Sequence, residues 1–130
     1  MGALVLSADA NPGTASWQNP AVAITTLASG TAIPVTDSAA ITFGLEAAGE
    51  TNTLADPTFS GQTISLFVGS FAPGASRAVT VNRAIDGSGN NTITFNVSPD
   101  FILLYSQPDG EGGFLWRVIV NQGCVLSNVP

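Results

Sequence analysis

The side chains in this sequence that could do chemistry are few, and most are carboxylates. Asp100, Asp109 and Glu111 lie close together in the chain, and two facing carboxylates are enough for glycoside hydrolysis. Asp109 and Glu111, however, belong to Pro108-Asp109-Gly110-Glu111-Gly112-Gly113, a run in which acids commonly cap or solvate a turn. Asp86-Gly87-Ser88-Gly89-Asn90-Asn91 has the outline of an oxygen-ligand calcium loop. Its sixth position is Asn91 instead of glycine, and its twelfth is Val97 instead of a bidentate Glu, so it reads as a β-turn. Cys124 is the only cysteine; no cation near it in sequence lowers its pKa, and it reads as a small apolar residue. Asn90-Asn91-Thr92 and Asn96-Val97-Ser98 fit the short glycosylation pattern and read as polar residues at strand edges.

The chain has no His and no Lys, which removes the usual general acid–base and nucleophilic groups. One Cys without His also leaves no zinc-type ligand set. The expectation is a protein with no catalytic residue, no cofactor and no metal.

The charge count points the same way. Only 9% of the residues are charged, Arg77, Arg83 and Arg117 are the only cations, and the net charge is −6. Three dispersed arginines cannot build a basic groove for nucleic acid or hold an anionic membrane surface. The polar surface must be made of Thr, Ser, Asn and Gly, neutral groups that lose water at low cost. That composition suits a subunit of an assembly. Met1-Gly2-Ala3-Leu4-Val5-Leu6 is too short and lacks the basic start of a secretory signal.

The elements that would position these groups read as strands. Residues 1–20 carry the breakers Asn11-Pro12-Gly13 and Asn19-Pro20 around a single Trp17, and are expected to form an extended arm, docked either on its own domain or on a neighbour. From residue 21 to 130 period-2 alternation recurs: Ala21–Leu27, Ala40–Leu45, Gln62–Val68, Ala78–Asn82, Asn91–Val97, Phe101–Ser106 and Leu115–Asn121. Phe101–Ser106 is apolar on both faces, as a central strand is. In Leu115–Asn121, Trp116, Val118 and Val120 are expected on one face. Phe43, Phe67, Phe95, Phe101, Tyr105 and Trp116 all fall at strand spacing and are assigned to the core. The loop Pro108–Gly113 reads as a hairpin turn, and only Leu45–Glu50 could begin a helix, which Gly49 would stop. The predicted fold is one all-β domain, an antiparallel β-sandwich or jelly roll.

Ile41-Thr42-Phe43, Gly61-Gln62-Thr63-Ile64-Ser65-Leu66, a Val-Thr-Val strand, Thr92-Ile93-Thr94-Phe95, Phe101–Tyr105 and Leu115-Trp116-Arg117-Val118-Ile119 follow one another in that order. This succession resembles small β-rich structural proteins of tailed bacteriophages, especially head decoration (cement) proteins. The resemblance covers Ala40 to Val120. It implies a homotrimer bound to the major capsid protein on the outer surface of the virion, clamping the shell. Trp17, Asn11 and Pro12 in the arm, with Arg77 and Arg83, are then the candidate contacts to capsid or neighbouring subunits. The alternative is a tail-fibre or lectin-like module that binds glycans near Tyr105 and the Pro108–Gly113 loop. A carboxylate hydrolase comes third.

Overall fold

The computed structural model describes residues 24–129. Threonine and β-branched aliphatic residues at alternate positions favour extended backbone, and ten strands result. They are β1 (Ile24–Thr26), β2 (Ala32–Ile33), β3 (Ala39–Leu45), β4 (Glu50–Leu54), β5 (Thr63–Phe71), β6 (Arg77–Val81), β7 (Thr92–Phe95), β8 (Phe101–Pro108), β9 (Phe114–Gln122) and β10 (Val125–Ser127). No helix occurs among the described residues. Where a helix could have begun, Leu45 ends β3 and Gly49 takes a positive φ in the turn leading to β4.

The strands form two five-stranded sheets that do not close into a barrel. The first runs β1-β3-β5-β8-β9 and the second β10-β7-β6-β4-β2. From β1 to β6 the chain crosses between the sheets at every strand, so each new strand lies parallel to its predecessor in the same sheet. The last four strands add on antiparallel. This corrects the antiparallel expectation, because both sheets are mixed. Alternation reports which face a side chain takes and carries no information about strand direction. The jelly-roll expectation gains no support from this order. The Pro108–Gly113 hairpin and the central position of β8 are as the sequence implies.

One core lies between the sheets. Ile41, Phe43, Ile64, Leu66, Ile102, Leu104 and Trp116 enter it from the first, and Leu54, Val79, Val81, Ile93 and Phe95 from the second. Phe43 and Phe95 meet edge to face across it with centroids 5.2 Å apart, and Trp116 Nε1 donates across it to the Ala55 carbonyl at 2.8 Å.

The crossings between the sheets run through short loops whose backbone groups need partners. Three buried polar side chains supply them. Asn52 donates to the carbonyls of Ala28 and Thr31, both at 2.9 Å. Gln62 donates to the carbonyls of Val35 at 2.7 Å and Asp37 at 3.0 Å, and accepts from the N–H of Thr58 at 2.8 Å. Arg77 donates to the carbonyls of Leu27 at 2.8 Å and Gly44 at 3.3 Å.

Candidate interaction surfaces

Among the described residues the three arginines and the carboxylates of Glu50, Asp56, Asp86, Asp100 and Asp109 are tied into the chain's own loops. Arg77 is 2% exposed, pairs with Glu50 Oε1 at 2.9 Å and lies over the Phe43 ring at 4.9 Å. Burial pushes the Glu50 carboxyl up, but the hydrogen bond from Arg77 and the backbone N–H groups of Glu46 and Ala47 outweigh it, and the net shift is downward. Arg77, a candidate capsid contact, is thus buried in the described structure, with its guanidinium bonded to the chain's own groups. Arg83 is partly exposed; it reaches Asp109 Oδ2 at 3.0 Å, Asp56 Oδ2 at 3.6 Å and the Phe114 carbonyl. It locks three loops together and retains an accessible side. Arg117 donates to the Ala84 carbonyl at 3.0 Å. Asn11, Pro12, Trp17 and the whole 1–20 arm lie outside the described residues.

The acids behave as caps. Asp109 accepts from the N–H of Glu111 at 2.7 Å and of Gly113 at 3.0 Å. Those two bonds, followed by Arg83, hold its carboxyl below the ordinary range. Asp86 accepts from the Asn90 side chain at 2.8 Å and from the N–H groups of Ser88 and Asn90 at 3.0 Å, which lowers its pKa and folds the would-be calcium loop on itself. Asp100, 5% exposed, takes the N–H groups of Asn96 and Val97 and so ends β7 at Phe95. Asp100 and the Asp109–Glu111 turn sit at opposite ends of β8, roughly 25 Å apart at the rise of a strand. That is far beyond the spacing of a glycosidase pair. No group of three or more His, Cys, Asp or Glu able to hold a metal ion occurs among the described residues. Burial, then the nearby Asp100, pushes the Cys124 thiol up to about 12.

What remains is the pair of outer sheet faces, and they differ. Register across the second sheet aligns Ala32, Thr53, Thr80, Thr92 and Ser127 in one row, and Thr51, Ala78, Thr94 and Val125 in the next. Six of these nine side chains carry a hydroxyl, Thr92 among them buried, and Val125 at the edge is 54% exposed. Across the first sheet the rows are Ile24, Ala40, Ser65, Leu103 and Val120, then Thr26, Thr42, Phe67, Phe101 and Gln122, with Tyr105 beside Arg117. Phe67, Phe101 and Tyr105 therefore belong to an outer face, a correction to their core assignment; only Phe43, Phe95 and Trp116 of that set are fully buried. Alternation shows that Phe67 lies opposite Leu66, but not which of them faces the partner sheet.

Val120 is corrected for a second reason. Leu104 pairs with Val118 while Leu103 pairs with Val120, so an extra residue, Ile119, bulges out of β9. The bulge turns Val120 outward and leaves Ile119 50% and Val120 37% exposed. The first half of β9's free edge is covered, because Val118 N–H donates to Ile85 O and the Arg83 guanidinium takes Phe114 O. The other edge strands, β1, β2 and β10, are two or three residues long, which limits unwanted strand pairing.

A cavity of about 710 Å³ opens at the ends of β4 and β6, lined by Val35, Thr53, Asp56, Thr58, Thr80 and Asn82 among others. Asn82 donates to Asp56 at its rim at 3.2 Å. No protein-family model, curated protein or solved structure matches this chain.

Proposed function

We propose that the chain is a structural subunit of an assembly, and specifically a phage head decoration protein that binds the outer capsid surface as a homotrimer and stabilises the shell. One observation supports this above the rest: the three arginines and five of the eight described acids are bonded to the chain's own loops and strand ends, and neither outer sheet face carries a carboxylate. Faces built of apolar and hydroxyl groups shed water at low cost and suit extended protein contact. A protein that binds only the assembled lattice stabilises that lattice by mass action. The sequence resemblance from Ala40 to Val120 supplies the capsid, and the contacts proposed are Trp17, Asn11 and Pro12 in the arm together with the accessible side of Arg83.

The test is sedimentation of the tagged chain with assembled phage shells and with unassembled major capsid protein. Binding to shells alone, with a raised temperature of shell rupture, is expected; no binding to shells overturns the reading. Deleting residues 1–20 should abolish shell binding and leave the circular dichroism of the sheets intact. Unchanged occupancy after deletion removes the arm from the contact set.

A second reading, a glycan-binding tail-fibre module, is favoured by the cavity at Thr53, Asp56, Thr58, Thr80 and Asn82, whose hydroxyl, amide and carboxylate groups match sugar hydroxyls. Hits on a glycan array that Asn82→Ala abolishes would support it. An empty array would count against it.

A further inference from the structure

We infer that the outer face of the first sheet is where two copies of this chain meet, centred on Phe67, Phe101, Leu103, Tyr105 and Val120. This goes beyond the reading above, since a face that meets its own copy closes at two chains whereas a homotrimer is built from two different surfaces, and it requires no capsid.

Three observations favour a second copy as the occupant. In a chain of net charge −6, two copies repel wherever their carboxylates oppose one another. The described acids lie in loops or at strand ends, and the rows Ile24-Ala40-Ser65-Leu103-Val120 and Thr26-Thr42-Phe67-Phe101-Gln122 contain none. Copies can approach there without opposing like charges. The face is also the right size. Five strands at about 4.8 Å spacing and up to nine residues at about 3.3 Å give roughly 600 Å² per copy, or about 1,200 Å² in total, which reaches the range of specific interfaces. Finally, its chemistry is that of an interface centre, with two Phe, a Tyr and aliphatic side chains flanked by one Arg and depleted of acids. The threonine face of the second sheet shares the lack of acids and lacks these anchors.

The experiment is light scattering on the full chain over a concentration series, for the wild type and three variants. Leu103→Asp places a carboxylate at the centre of the face and its copy opposite. Ser65→Glu does the same from a position already polar and outward-facing, and serves where Leu103→Asp fails to fold. Thr80→Asp puts the same charge on the threonine face. The wild type should be oligomeric at ~100 µM, with the two first-sheet variants monomeric and at least about 100-fold weaker in self-association, and Thr80→Asp unchanged. A wild type monomeric throughout, an oligomer that survives both first-sheet changes, or one that Thr80→Asp dissociates would each overturn the inference. Failure to bind shells by a wild type that oligomerises as described overturns only the capsid reading.

Discussion

The two outer faces are built on similar five-stranded frames, yet one carries Phe67, Phe101, Leu103 and Tyr105 and the other Thr51, Thr53, Thr80 and Thr94. Both lack acids, so charge does not distinguish them. The difference lies in what their side chains do when water leaves. A Phe gains on the order of 2 kcal/mol from burial, whereas a Thr hydroxyl must find a new hydrogen-bond partner or lose free energy. The first face therefore gains from a partner, and the second is stable in water.

The comparison can be sharpened within a single sheet. Phe43 points into the core and Phe101 out of the first sheet. Phe43→Ala should cost about 4 kcal/mol in urea unfolding. Phe101→Ala, measured at a dissociating concentration, should cost about 1 kcal/mol. Equal losses would mean that the outer face is covered within the monomer.

Glu50→Gln comes next, because it leaves the Arg77 guanidinium buried without its counter-charge. A loss of about 3 kcal/mol is expected in chemical unfolding, with the oligomer's surface unaltered. The same pair sets a pH dependence. Glu50, Asp86 and Asp109 all have carboxyls lowered in the folded chain. Their contribution is fully present above the ordinary carboxylate range, near pH 4–5, and is lost as the pH falls through their lower folded values. A thermal melt series should be flat near neutrality and drop below about pH 4; stability rising in that window would contradict these three assignments.

Gly123 joins β9 to β10 and so carries the chain from one sheet to the other. Its φ is +89°, and a Cβ there would collide with Asp100 Oδ1. Gly123→Ala should cost about 2 kcal/mol. The smallest effect is the most pointed one. Thr80→Val should change stability by about 0.5 kcal/mol or less, yet in combination with Thr53→Val it should give the second face an apolar patch. Particles larger than the wild-type oligomer are then expected in light scattering.

Much of this was legible in the sequence. The seven alternating runs became strands, and the glycine-rich hairpin and central β8 stand where the pattern placed them. Three strands escaped. β2 and β10 are two and three residues long, and β4 turns the polar Asn52 into the core, which hides its alternation. Strand direction was invisible because parallel and antiparallel partners demand the same period. The interface was missed for a related reason, since an alternating strand with apolar residues on both faces, such as Phe101–Ser106, does not say which face is covered. Arg77 carried no signal that it was structural, because a lone Arg before a Val-Thr-Val run reads equally well as a surface residue.

The most direct measurement of the central claim is hydroxyl-radical footprinting of the wild-type full chain at low and high concentration. Phe67, Phe101 and Tyr105 are expected to be reactive when dilute and to become protected together as concentration rises, while peptides from the threonine face keep their reactivity. Protection of Tyr105 at every concentration, or equal protection of both faces, would contradict the account.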